Sequence, residues 1–220
     1  MADLRELQLV PVKTRILTQK DDIVDSIDRY ARQLVGPDDI VCVAESVVAI
    51  TQGRFKRPED MHPGLWARVL CRFLPREASL SSAYGMQAAM DEGGTVRVVL
   101  AFIAGAATKL VGKSGVFYTL AGPQASLIDD VTGTMPPFDK VMVYGPKDPD
   151  KVAEAIKSRM GCYGAAVADV NDLKRAAVLG TSAGLDPDEL CRILIDNPFG
   201  NDNQQTPIVI IKNYRAAVRG

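Results

Sequence analysis

Residues 148–170 constrain the architecture more than any other stretch of this chain. Asp148-Pro149 is a helix opening, because aspartate caps free amides and proline fixes φ in the first turn. Val152, Ile156 and Met160 then fall on one face, and Gly161 ends the helix. An apolar strand follows at once over residues 165–170. A helix that feeds directly into a buried strand points to a mixed α and β architecture.

The rest of the chain follows the same logic. Residues 7–12 read as a strand. Asp21 or Asp22 caps a helix through Ile23, Ile27, Tyr30, Ala31 and Leu34, which Gly36-Pro37 stops. Residues 39–44 form a buried strand, and residues 46–51 continue as strand or turn. Residues 63–74 read as a helix with Leu65, Trp66, Val69, Leu70 and Phe73 on one stripe, and 81–90 as a weaker helix. Residues 96–103, 115–120 and 140–144 are expected as strands. Asp186-Pro187 opens a helix through Leu190, Ile193 and Leu194, and residues 207–211 make the last strand. Helices and strands are interspersed irregularly, with no repeat of fixed period. The expected class is therefore α+β (mixed α/β), with mixed sheets and flanking helices, rather than a strict doubly wound sheet. At 220 residues the chain is expected to form a single unit over 1–220, or two intertwined subdomains with a boundary near 145–165.

Net charge is −1, so no global field draws the chain to nucleic acid or an anionic membrane. The longest apolar run, residues 98–107, is short of the roughly 20 residues that span a bilayer, and is expected to be a buried strand. Cys42, Cys71, Cys162 and Cys191 include no C-x-x-C pair and read as reduced thiols of a cytoplasmic protein. The acidic N-terminus lacks a signal-peptide core, and the single histidine, His62, argues against a zinc site.

Several segments carry polar residues in suggestive places. Asp169 and Asn171 end an apolar strand, where a carboxylate suits Mg²⁺ or Mn²⁺; the plain alternative is that they cap a turn. Gly53-Arg54 after Gln52 offers close backbone approach and a fork of donors to a phosphate, against a turn glycine with a solvated arginine. Gly112-Lys113-Ser114 resembles the end of a P-loop, but Ala107 stands where the upstream glycine belongs, so a hairpin loop is expected. Residues 180–184, Gly-Thr-Ser-Ala-Gly before a helix, offer amides to an anion or form a connection. Asp129 and Asp130 are paired acids, which more often make a solvated turn. No nucleophile triad is visible.

In order, these segments resemble the coenzyme F-420 γ-glutamyl ligase family. The likeness starts at Leu9-Val10-Pro11-Val12 and continues through Asp38-Asp39-Ile40-Val41-Cys42-Val43 and Ser46-Val47-Val48-Ala49-Ile50-Thr51-Gln52-Gly53-Arg54. It returns at Ala121-Gly122-Pro123-Gln124-Ala125-Ser126, Met135-Pro136-Pro137-Phe138-Asp139, Asp148-Pro149-Asp150 and Ala168-Asp169-Val170-Asn171. It closes with Asp188-Glu189-Leu190 and Pro207-Ile208-Val209-Ile210. The ordered series carries the likeness, rather than any one motif.

The resemblance implies a GTP- and metal-dependent ligase that adds glutamate through γ-linked amide bonds to a small acceptor, working as a homodimer. It places phosphate near Gly53, Arg54 and Ser126, and Mn²⁺ or Mg²⁺ at Asp169 and Asn171; it assigns no catalytic residue. Departures fall at polar positions. Ile50 and Gln52 replace a lysine and a glutamate of the family, Gln124 a metal-binding aspartate, and Asp172 and Leu173 a glycine and an arginine. Each loss weakens metal or phosphate neutralisation. The alternative is a diverged paralogue that binds another small molecule or partner without GTP chemistry.

Overall fold

The structure is a computed structural model of the chain. It describes residues 7–75, 79–110, 112–113, 115–122, 125, 127–128, 137–138, 140–200 and 204–219. The chain divides into two units: residues 1–53 with 146–220, and residues 54–145.

The first unit is built on a five-stranded sheet of order β1-β7-β2-β5-β6. Its strands are β1 (Leu9–Val12), β2 (Ile40–Ala44), β5 (Gly164–Asn171), β6 (Arg175–Thr181) and β7 (Ile208–Ile211). β2 and β5 are the one parallel pair among them, with Ala44 beside Ala168; the other neighbours run antiparallel. Helices cover both faces. On one side α1 (Ile23–Ala31) and α7 (Pro149–Met160) pack Ile27, Ile156 and Met160 against Val41, Val43 and Val167. On the other, α8 (Pro187–Leu194) and α9 (Tyr214–Arg219) bring Leu190, Leu194 and Tyr214 to Ile40, Cys42 and Ala166. A strand buried on both faces has no polar side to show, which is why β2 reads as an unbroken apolar run.

The caps divide as their chemistry allows. Asp22 accepts from the Asp25 amide and Asp186 from the Asp188 amide, as expected. Asp148 does not cap α7: it sits at φ 48° without a side-chain cap bond, and its carboxylate meets Lys151 instead. Gly180 lies where α7 begins. A Cβ there would stand 2.4 Å from the Pro149 carbonyl carbon. Glycine is what lets the helix start lie on β6.

Asp39, 1% exposed, closes the sheet at the start of β2. Its carboxylate accepts from the amides of Gly36 and Asn213 and from Lys212 Nζ.

The second unit is mostly helical: α3 (Leu65–Leu70), α4 (Ala83–Gly93), α5 (Thr95–Leu110) and α6 (Val116–Ala121), with the short pair β3 (Phe55–Lys56) and β4 (Met142–Val143). Leu80, Met86, Met90, Val98, Ile128 and Met142 form its core.

Several expectations are corrected here. Residues 46–51 lie in the helix α2 (Glu45–Thr51), because the β ladder ends at Ala44. Residues 96–103 lie in α5, and the expected strand 115–120 is the helix α6 with Gly115 as its N-cap. The α5 run is apolar on more than one side: Val98 and Ala101 are buried while Val96, Leu100 and Ile103 face solvent. That mixture hid the helical period among β-branched residues. Likewise the α3 stripe is no core face, since Leu65, Trp66, Val69 and Phe73 are exposed and Leu70 alone is buried. The mixed α+β class stands. No described helix is long and apolar enough to cross a membrane.

Candidate functional site

Two acidic residues follow the paired ends of the parallel strands. β2 ends at Ala44 and β5 carries Ala168 in register beside it, so the next residues, Glu45 and Asp169, emerge at the same edge. Ligands of α/β sheets bind outside the carboxyl ends of parallel strands. Glu45, 8% exposed, opens α2. Asp169 remains on the strand, paired with Ala177 of β6. Just before it, the β5–β6 register shifts between Val167 and Ala168, a bulge of the kind found beside active sites.

Asp169 is solvent-accessible and accepts no hydrogen bond from a described residue. Enough protein surrounds it that desolvation pushes its carboxyl above the usual range. Proton uptake, a cation, or a donor on a ligand would relieve that cost. Asn171 behaves differently: its Oδ1 accepts from the Leu173 amide, so it does cap the turn into β6. Asp172 next to it accepts from Asn197 Nδ2.

The phosphate residues expected from sequence are committed elsewhere. Gly53 takes φ 69°, which suits glycine, but its amide donates to the Ile50 carbonyl. Arg54 donates from Nε to the Gly145 carbonyl at 2.5 Å and from a terminal nitrogen to Glu92 at 2.7 Å, with its guanidinium over the Tyr144 ring. Neighbouring Lys56 pairs with Asp91 at 2.9 Å. Gln52 holds the peptide of Lys147 through both ends of its amide. Ser126 and Gln124 lie outside the described residues, as do Asp129, Asp130 and Ser114.

The other candidates resolve into structure. The amides of Thr181 and Ala183 do bind anions, but these are Asp150 and Glu154 of α7. Ser182, fully buried, accepts from the Ala165 amide. Gly112 and Lys113 close the carboxyl end of α5 and make no hairpin loop, because helices stand on both sides. The four cysteines are free, and burial pushes the Cys42 thiol up to about 12, which leaves it inert at neutral pH.

Among the described residues no group of three or more His, Cys, Asp or Glu side chains is placed to hold a metal ion. One accessible carboxylate does not make a resident metal cage. It does suit Mg²⁺ or Mn²⁺ arriving with a phosphate, where one or two protein oxygens suffice. Glu45 falls between the expected strand 39–44 and the segment 46–51, and an acid directly after an apolar strand is the sequence signal that points to it.

A family model described as F420-0:Gamma-glutamyl ligase matches residues 11–170, well over half of the chain. The match runs from β1 to the residue after Asp169 and stops short of Asn171. No curated protein matches the chain.

Proposed function

The chain belongs to the F420-0:gamma-glutamyl ligase family, and from that membership we propose that it joins glutamate to a small acceptor at the expense of GTP, with a divalent cation. Making an amide from a carboxylate and an amine requires that the carboxylate be activated. Phosphoryl transfer does this, and the displaced oxygen leaves with the phosphate as the C–N bond forms. The observation that carries the proposal is Asp169: an accessible carboxylate with no described partner, held at the carboxyl edge of the parallel pair. Asp169 would hold the cation, which neutralises charge on the phosphates. Asn171 and Ser126 would orient it or the substrate. Gly53 and Arg54 keep the phosphate role implied by the family only if Arg54 exchanges Glu92 for the phosphate.

The test is thermal unfolding with and without GTP and Mn²⁺, since a ligand that binds the native state raises the melting temperature. A rise with GTP–Mn²⁺ that vanishes in Asp169→Asn supports the proposal. No rise at saturating nucleotide, while an active ligase responds, counts against it.

A second reading is favoured by one observation, the engagement of Arg54 and Gln52 within the fold. In it the chain is a diverged paralogue that binds another small molecule without GTP. Native mass spectrometry separates the two: a co-purified guanine nucleotide excludes the paralogue, and a phosphate-free ligand favours it. In either case we place the protein in the cytoplasm as a homodimer, without nucleic-acid or membrane partners.

A further inference from the structure

Within the second unit, the Tyr144 amide donates to the Arg54 carbonyl at 2.9 Å, which carries the β3–β4 pairing one residue beyond Phe55. Arg54 and Lys56 therefore stand at alternate positions of one ladder and leave it from one face. Both cations lie over the ring of Tyr144, each 5.9 Å from its centroid.

Each cation is met by an acid. Arg54 pairs with Glu92 at 2.7 Å and Lys56 with Asp91 at 2.9 Å. The two acids are neighbours in the last turn of α4, which carries no basic residue. Unsatisfied carbonyls at that end of a helix repel negative charge. Water also reaches both pairs: the Lys56 side chain is 48% exposed and the Glu92 side chain 29%. Ion pairs of this kind are weak, and an anion of higher charge displaces the acids.

Tyr144 supplies an independent observation. It is 4% exposed, and its hydroxyl, shut away from water, makes no hydrogen bond. Burial pushes its pKa up, and the charges that act on it are Lys56, Asp91 and Glu92, so the hydroxyl lies inside the cluster. A buried phenol ordinarily has a partner. Lys56 has only donors to offer, and Asp91 and Glu92 are turned to the cations, Asp91 also to Gln87 at 2.8 Å. A ligand oxygen set between the two cations is the acceptor that the hydroxyl lacks.

The spacing selects the ligand. Two residues of strand separate the cations by about 7 Å at their Cα atoms. One carboxylate satisfies one cation, whereas successive phosphates of a polyphosphate reach both. The guanidinium of Arg54 takes two oxygens of one phosphate, and the Lys56 ammonium takes the next as a point charge.

We propose that Arg54, Lys56 and Tyr144 form a polyphosphate subsite, that Asp91 and Glu92 close it in the ligand-free chain, and that a polyphosphate opens it by taking over both cations. Lys56 and Tyr144 are then binding residues beyond those the family implies. The proposal rests on the GTP reading for the source of the polyphosphate, and its test separates the two.

The test is isothermal titration of the full chain with GTP and, separately, with inorganic tripolyphosphate, each with Mn²⁺. The wild type is expected to bind both. Lys56→Ala is expected to weaken both about tenfold, through loss of one charge-assisted contact. Tyr144→Phe is expected to weaken both about fivefold and to leave the melting temperature of the free chain unchanged or raised, since the hydroxyl it removes has no partner. The double variant Asp91→Asn, Glu92→Gln is expected to tighten binding about threefold, because it releases the cations; a merely structural role would not raise affinity. GTP binding that none of these variants alters overturns the subsite and leaves the GTP reading standing. Tripolyphosphate binding that responds as expected, without binding of GTP, keeps the subsite and overturns the GTP reading. Binding of neither ligand overturns both. Should the double variant fail to fold, Tyr144→Phe decides, and a variant that binds as the wild type does, or is markedly less stable without ligand, overturns the proposal.

Discussion

The side-chain amide of Gln52 brackets the peptide of Lys147: Nε2 donates to the Lys147 carbonyl at 2.9 Å, and Oε1 accepts from the Lys147 amide at 2.7 Å. A side-chain amide does both at once, and an ionised carboxylate cannot. The resemblance expects glutamate at this position, yet Gln52→Glu would lose the donor and turn a charged oxygen toward a carbonyl. We expect Gln52→Glu to lower stability at pH 7 by about 1–2 kcal/mol, more than Gln52→Ala does, because the bond lies at the surface and water replaces part of it. The gap between the two variants should close near pH 4, where a protonated glutamate donates again. Urea denaturation of both variants at the two pH values checks this. A Gln52→Glu variant as stable as wild type at pH 7 would show that the amide pairing contributes nothing.

Asp39 contributes to the acid side of the stability curve. Burial drives its carboxyl pKa up, but Lys212 and the amides of Asn213 and Gly36 outweigh burial, and the net displacement is downward. A carboxyl whose folded pKa is depressed adds stability that is fully present above its unfolded value, near 3.9, and is lost as pH falls through the lower folded value. Unfolding free energy should therefore fall with pH below about 4. In Asp39→Asn that slope should flatten, while stability at pH 7 drops by about 2–3 kcal/mol through loss of a buried, hydrogen-bonded charge. Urea titrations between pH 2.5 and 7 read both effects; an unchanged acid slope in the variant would refute the assignment.

How much of this could be read beforehand depended on where each residue's partners lie. Strand β2 was legible because Ile40, Val41, Cys42 and Val43 are all buried and both sheet faces demand apolar side chains. Helices α1, α7 and α8 were legible from local residues at their ends. Helix α5 was not. Its β-branched residues Val96, Val98, Val99 and Ile103 favour strand, and the exposed apolar line removes the polar face that would reveal a helix. At the site, Asp169 was visible as an acid ending an apolar strand. The work of Gln52 was invisible, because Lys147 is 95 residues away. Arg54 likewise reads as a free cation until Glu92, 38 residues on, comes beside it.

Asp169 titrates in the opposite sense to Asp39. Its folded pKa is raised by desolvation, so the proton is held more tightly in the folded state. Stability from this group is greatest at low pH and declines as pH rises from the unfolded value through the raised folded one. Asp169→Asn should thus leave the ligand-free protein at least as stable as wild type at pH 7. The gain should be small, because the side chain is open to water. The same variant should lose any stabilisation by Mn²⁺ with GTP. Scanning calorimetry with and without ligand reads both, and a ligand-free variant markedly less stable than wild type would mean that the carboxylate is a structural partner.

Gly180 offers the sharpest steric prediction. A Cβ at this position would lie 2.4 Å from the Pro149 carbonyl carbon and 2.5 Å from the Asp150 amide nitrogen. Both are backbone atoms at the start of α7, so no rotamer change can relieve the clash. The helix start would have to lift from β6, and the bond from the Thr181 amide to Asp150 would lengthen with it. We expect Gly180→Ala to cost about 3 kcal/mol, the upper range for overpacking. Gly161→Ala is the control. It stands at φ 66° with open space around it, so backbone strain alone, about 1 kcal/mol, applies. Hydrogen exchange should show the Thr181 amide losing protection in Gly180→Ala and keeping it in Gly161→Ala. Equal losses in the two variants would mean that α7 does not rest on β6 at Gly180.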